Sequence, residues 1–181
     1  RLLVVDDDSE VGAFFGQVGE DLGFETKVLL DPNQFEQTVL GLVYTSGSTG
    51  VVIQDCEING LSAEGVRGIS GQGTFLRNDI HHTEDGIYLT GSNTLIQDNY
   101  IHDLQSNWSG PHYDGIATDG GVSNITIRHN TIINPHGQTS ALMLSNYFGS
   151  VTNVVVDNNW LEGGGYTVYS DGQFKNGTIS G

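Results

Sequence analysis

Between residues 53 and 161 the chain repeats one six-residue pattern: an apolar residue stands first and last, and mostly polar residues fill the middle. The five copies are Ile53–Ile58 (IQDCEI), Phe75–Ile80 (FLRNDI), Ile96–Ile101 (IQDNYI), Ile127–Ile132 (IRHNTI) and Val156–Leu161 (VDNNWL). Their fourth positions are Cys56, Asn78, Asn99, Asn130 and Asn159. The copies start 22, 21, 31 and 29 residues apart, so the short spacings set the unit and the long ones carry loops. If each copy is a strand in a coil, equivalent residues stack about 4.8 Å apart. First and sixth positions then form apolar ladders filling an interior that no single coil could bury. The Asn column can pass amide hydrogen bonds along the stack.

A second strand follows in each unit: Gly65-Val66, Gly86 to Leu89, Gly115 to Ala117, Ala141 to Leu144 and Tyr166 to Tyr169. Two or three strands in about 22 residues is the content of a parallel β-helix coil. An up-and-down sandwich would need hairpin turns every 8 to 12 residues or so and would not align an Asn column. The fold expected for residues 41–181 is therefore all-β, a right-handed parallel β-helix of about five coils.

The first 40 residues follow another pattern. Leu2 to Val5 form an apolar run ending in Asp6, Asp7 and Asp8. Val11, Phe14, Phe15, Val18 and Leu22 recur at spacings of three and four, predicting a helix over about 10–22 that Ser9 caps and Gly23 stops. Thr26 to Leu30 predicts a strand, and Asp31-Pro32 opens a second helix to about Val39. This β-α-β-α segment, LLVVDDDSE through GFETKVLLD, resembles the start of a response-regulator receiver domain. The resemblance implies a vestigial Mg²⁺ site at Asp6 and Asp7. No third strand ending in a phosphoacceptor Asp follows, so an inert fragment or an N-terminal cap is expected, joined near residue 41 to the repeat as in a fusion or chimera.

Composition supports the repeat. Only 36% of residues are apolar, while 26 glycines suit many turns and would each cost a helix interior about 1 kcal/mol relative to Ala. The net charge is −16, from six Lys and Arg against 22 Asp and Glu. No basic patch exists to hold a phosphate backbone, which argues against nucleic acid, and a polyanionic sugar would need a compensating cation. Cys56, the single cysteine, forms no intrachain disulfide. No apolar run reaches the roughly 20 residues of a membrane span, so no membrane partner is expected.

The stretches GPHYDGIATDGGVSNITIRHNTIINPHGQTSALML and VVVDNNWLEGGGYTVY resemble right-handed β-helix proteins of the pectate-lyase-like superfamily, over nearly all of 49–181. That superfamily includes lyases, hydrolases and epimerases, so the resemblance implies carbohydrate chemistry without fixing the reaction. Asp85-Gly86 and Asp114-Gly115 partly resemble the catalytic Asp-Gly of polygalacturonase-type hydrolases, whose Gly-His-Gly and Arg-Ile-Lys elements are missing. Pro111-His112-Tyr113-Asp114 is similar to the Asp-Pro-His-Asp of mannuronan epimerases, with Gly110 in place of the leading Asp.

The residues themselves suggest where chemistry sits. Glu64, Asp85 and Asp114 each precede a Gly and then Val or Ile, and Ser140 continues the series. Stacked, they would make an acidic column able to hold Ca²⁺ or to act as an acid/base pair on a glycosidic bond; plain turn chemistry at a strand entry is the other reading. The loop before Asp114 runs about nine residues beyond the basic coil and carries Trp108, His112 and Tyr113. His112 and Tyr113 are proton-transfer candidates, with Asp114 orienting His112; a loop packed by its own aromatics is the alternative. Trp108 and Tyr88 offer flat faces to a sugar ring. Arg128 and Arg77 are candidate partners for a substrate carboxylate. His81 or His82 with His102 could hold a transition metal beside carboxylates, against the alternative of solvated turn histidines.

These features lead to an expected carbohydrate-active β-helix on an acidic polysaccharide, with lyase-type β-elimination first and hydrolysis or C5-epimerisation second. The rivals are a non-catalytic glycan-binding or structural β-helix and a signalling protein with a degenerate receiver fragment. Self-association through exposed coil ends is a further expectation. An extracellular or periplasmic location suits the β-helix, and a cytoplasmic one the receiver-like fragment.

Overall fold

The computed structural model describes Leu2–Val5, Thr26–Leu29 and residues 41–181. The chain divides into two units, Arg1–Val39 and Leu40–Gly181. In the first, strands β1 (Leu2–Val5) and β2 (Thr26–Leu29) pair in parallel. The expected helices over 10–22 and 31–39, and the carboxylates Asp6 and Asp7, lie outside the described residues.

The second unit is a parallel β-helix with three strands per coil, numbered here in chain order. One sheet stacks β4 (Val52–Gln54), β7 (Thr74–Leu76), β10 (Thr94–Gln97), β13 (Ser123–Arg128), β16 (Val151–Asp157) and β19 (Phe174–Lys175), with β20 (Thr178–Ser180) also on β16. A second stacks β5 (Glu57–Asn59), β8 (Asp79–His81), β11 (Tyr100–His102), β14 (Thr131–Asn134) and β17 (Trp160–Gly163). The third stacks β3 (Val43–Tyr44), β6 (Arg67–Gly71), β9 (Asp85–Leu89), β12 (Tyr113–Thr118), β15 (Thr139–Leu144) and β18 (Tyr166–Ser170). Five coils, β4–β6 through β16–β18, carry the whole pattern.

The ladders are those the sequence predicts. Ile53, Phe75, Ile96, Ile127 and Val156 share one register line, and Ile58, Ile80, Ile101, Ile132 and Leu161 another. Ile69, Ile87, Ile116 and Leu142 add a buried line from the third sheet. Each repeated segment, however, is two short strands rather than one. Its third residue turns left-handed, with φ of 58° at Asp55, 51° at Arg77, 57° at Asp98, 54° at His129 and 50° at Asn158. Asp and Asn tolerate that conformation better than other side chains.

The Asn column stabilises this corner. Asn78 donates its amide to Asn99 Oδ1 at 2.9 Å, Asn99 to Asn130 at 2.9 Å and Asn130 to Asn159 at 2.9 Å. Each acceptor oxygen also takes the backbone N–H of the Asn one coil below. Cys56 lacks the side-chain amide, and only its backbone N–H joins, on Asn78 Oδ1 at 3.2 Å. A second ladder went unseen in the sequence: Asn93, Asn124, Asn153 and Asn176, all left-handed, bond amide to amide at 2.9, 3.1 and 3.4 Å.

Candidate active site

The third sheet brings charged residues into line. Asp85 and Asp114 are Cα partners on β9 and β12, Ser140 follows on β15 and Tyr166 on β18. Arg67, not Glu64, faces Asp85 one coil earlier. Glu64 sits in the preceding turn, three residues before the register position, because seven residues separate β5 from β6 where three separate β8 from β9. The aligned triplets are Arg67-Gly68-Ile69, Asp85-Gly86-Ile87 and Asp114-Gly115-Ile116. Their glycines are obligatory: a Cβ on Gly115 would lie 2.1 Å from Ile132 Cγ2 and 2.6 Å from the Ala141 carbonyl. The Asp-Gly pair therefore serves packing through its glycine, while the carboxylate is left for the column.

The two carboxyls are buried, with Asp85 at 6% and Asp114 at 3% exposure. Burial pushes Asp85 up to about 6, opposed by the charge and hydrogen bond of Arg67. Asp114 rises to about 7, first through burial and then through the charge of Asp85. The Asp114 Oδ1 accepts the Ser140 backbone N–H at 2.8 Å. Arg67 Nε donates to Asp85 Oδ2 at 2.9 Å, and its guanidinium lies 3.5 Å from the centre of the Tyr88 ring. The Tyr88 hydroxyl donates to Asp119, and burial together with that bond pushes it up to about 12. Glu84 is buried beside this group; its Oε1 accepts the His112 backbone N–H at 3.3 Å, and its Oε2 has no partner among the described residues.

The long loop contributes less to the pair than the sequence suggests. Tyr113 is buried, stacks on His136 with ring centres 3.7 Å apart, and bonds through its hydroxyl to the backbone of Ser106. It anchors the loop. His112 turns its ring to Gln138 Nε2 at 3.2 Å and to Thr139 Oγ1 at 3.4 Å, with no hydrogen bond to Asp114. Trp108 is exposed on the loop, whose Asn107 N–H reaches the Ser62 carbonyl at 2.8 Å.

Arg128 and Arg77 belong elsewhere. Arg128 lies on β13 of the first sheet and donates to Gln97 at 2.8 Å. Arg77 occupies a left-handed corner and makes a two-toothed contact with Asp55 at 2.6 and 2.8 Å. The cation at the carboxyl pair is Arg67. Two further residues join these columns: Tyr166 continues the Asp114 line, and Tyr169 the line of Tyr88, Ala117 and Met143. Both are exposed. The alignment of Gly68-Ile69 with Gly86-Ile87 is the signal that would have revealed Arg67.

Arg67 takes the place where a third carboxylate was expected for Ca²⁺. Among the described residues no group of three or more His, Cys, Asp and Glu side chains is arranged to hold a metal ion. Also among the described residues, no helix is long and apolar enough to cross a membrane.

Comparison with curated proteins gives no match, and comparison with solved structures gives none either. One family model, described as the right handed beta helix region, matches residues 25–181. With that match and three stacked parallel sheets, the chain belongs to the right-handed β-helix family.

Proposed function

We propose that this protein is a carbohydrate-active β-helix that cleaves glycosidic bonds at the Asp85–Asp114 pair. The observation that carries this reading is the register of two buried carboxyls on adjacent coils, both held above the usual carboxylate range. Two such groups titrate as a pair and supply one protonated and one ionised carboxyl in the same pH window. That is the complement glycoside hydrolysis needs, an acid for the leaving oxygen and a base or nucleophile opposite. Tyr166 and Tyr169, exposed on the same and the adjoining column, give flat faces for sugar rings, while Arg67 caps one face of Tyr88.

Hydrolysis is favoured over β-elimination by the state of Arg67. Elimination from a uronate needs a cation to neutralise the substrate carboxylate, and Arg67 is already engaged by Asp85. β-Elimination on an acidic polysaccharide stays as the second reading, supported by the presence of that one guanidinium beside Tyr88; Ca²⁺ on the carboxyl pair would supply the missing charge. The test is a panel of neutral and acidic polysaccharides followed for reducing ends and for the ultraviolet absorbance of unsaturated products. Reducing ends without absorbance, lost in Asp114→Asn, support hydrolysis. Absorbance lost in the same variant moves the reaction to elimination. Silence in both, with glycan still bound, would replace catalysis by binding.

A further inference from the structure

A second cluster of reactive side chains lies at the second sheet, apart from the carboxyl pair. His81 and His102, at the ends of β8 and β11, are Cα partners, and their rings stack with centres 5.3 Å apart. His82 follows in the left-handed conformation, φ 52°, with its N–H on the Asp103 carbonyl. Consecutive residues of an extended strand point to opposite faces. The left-handed corner instead brings the two rings together, so that His81 Nδ1 and His82 Nδ1 stand 2.6 Å apart. Two neutral imidazoles hold one proton across such a contact, one nitrogen donating and the other accepting. Moving that proton to His82 Nε2, the other neutral tautomer, leaves two lone pairs directed at one point.

The surroundings favour a cation there. His81 Nε2 lies 3.3 Å from Glu57 Oε1, which keeps the proton on Nε2 and the lone pair on Nδ1. A carboxylate on the outer nitrogen is the arrangement that orients metal-bound imidazoles and raises their basicity. His102, stacked on His81, is engaged by Asp79 at 2.8 Å and Asp103 at 2.9 Å. Every charged partner in these contacts is an acid.

We infer that His81 and His82 form a two-nitrogen chelate for a late first-row divalent ion such as Zn²⁺, with Glu57 as the positioning residue. Bonds of about 2.0–2.1 Å at tetrahedral angles set the two nitrogens roughly 3.3 Å apart, so the rings need to open by less than about 1 Å. Because no third His, Cys, Asp or Glu is arranged about the same point among the described residues, water completes the shell. The inference stands apart from the glycan reading and survives its failure.

The experiment is a Zn²⁺ titration of the whole chain at neutral pH, read by calorimetry and by histidine-selective nitrogen NMR. One equivalent is expected to bind and to shift the Nδ1 resonances of His81 and His82 together. Binding should vanish in His82→Ala, weaken about tenfold in Glu57→Gln and persist in His129→Ala. No binding by the unaltered protein, shifts confined to other histidines, or undiminished affinity in a folded His82→Ala protein would each overturn the site. The spectra of the unaltered chain decide the matter even if His82→Ala fails to fold.

Discussion

At the scale of single residues, the buried carboxyl pair ties stability to pH, and the proposed hydrolysis to the same pH window. Asp85 and Asp114 hold protons up to about 6 and about 7 in the fold, whereas an unfolded Asp titrates near 3.9. The folded chain therefore binds protons that the unfolded chain has released. The stability these two groups contribute is complete below about pH 4 and is lost as pH rises through 6 and 7. Asp114→Asn removes the charge without changing the shape. It should raise stability at pH 8 by on the order of 1–3 kcal/mol and lower turnover by about 10²–10⁴-fold. Urea unfolding at pH 5 and pH 8 measures the first effect, and a variant less stable than its parent at pH 8 would contradict the burial argument. Activity in the unaltered chain should be bell-shaped in pH, with apparent limits near 6 and 7 that belong to the pair and not to either residue.

At the scale of the strand and its corner, stability rests on columns rather than on single contacts. The side chain of Asn99 accepts the Asn78 backbone N–H and donates to the Phe75 and Gln97 carbonyls, all deep in the stack. Asn99→Ala strands those groups in the interior, and a loss of about 2–4 kcal/mol is expected. Asn124→Ala, in the exposed second ladder, should cost under about 1 kcal/mol. Equal losses in chemical denaturation would show that burial does not separate the two ladders. The first ladder was legible in the sequence because its Asn sits at a fixed place between two apolar positions. The second was not, since Ser92-Asn93, Ser123-Asn124, Thr152-Asn153 and Lys175-Asn176 fall outside that frame. Arg67 was hidden for a related reason: Glu64-Gly65-Val66 and Arg67-Gly68-Ile69 both mimic Asp-Gly-Ile, and the length of one turn decides between them. A column is legible where its motif recurs once per coil, as at Asp85 and Asp114 across turns of different length, and ambiguous where the motif recurs twice, as at 64–69. Arg128 and Arg77 lie on the first sheet and its corner, and nothing in the spacing tells which sheet a cation shares with the carboxyls.

At the scale of the whole chain, charge is the dominant unbalanced quantity. Residues 41–181 carry thirteen Asp and Glu against four Lys and Arg, nine of the sixteen net negative charges. Within the β-helix they repel one another at distances comparable to the Debye length, about 10 Å at 0.1 M salt, and folding concentrates them. Coil stacking adds to this, because equivalent residues recur every 4.8 Å or so; Asp85 beside Asp114 is one instance. Monovalent salt should therefore raise the thermal midpoint by a few degrees between about 0.02 and 0.5 M, at pH 8 where the pair is ionised. Screening depends on ionic strength alone, so Mg²⁺ and Ca²⁺ at matched ionic strength should then give the same midpoint. A Ca²⁺ site on Asp85 and Asp114 makes a different prediction: an extra, saturable rise with Ca²⁺ that Mg²⁺ does not reproduce and that Asp114→Asn abolishes. A Zn²⁺ chelate at His81 and His82 would leave this Ca²⁺ response untouched, so the two ions report on two different sheets. Equal midpoints in Ca²⁺ and Mg²⁺ would remove calcium from the mechanism and, with Arg67 already engaged, leave hydrolysis of an uncharged glycan as the reaction that the carboxyl pair can serve.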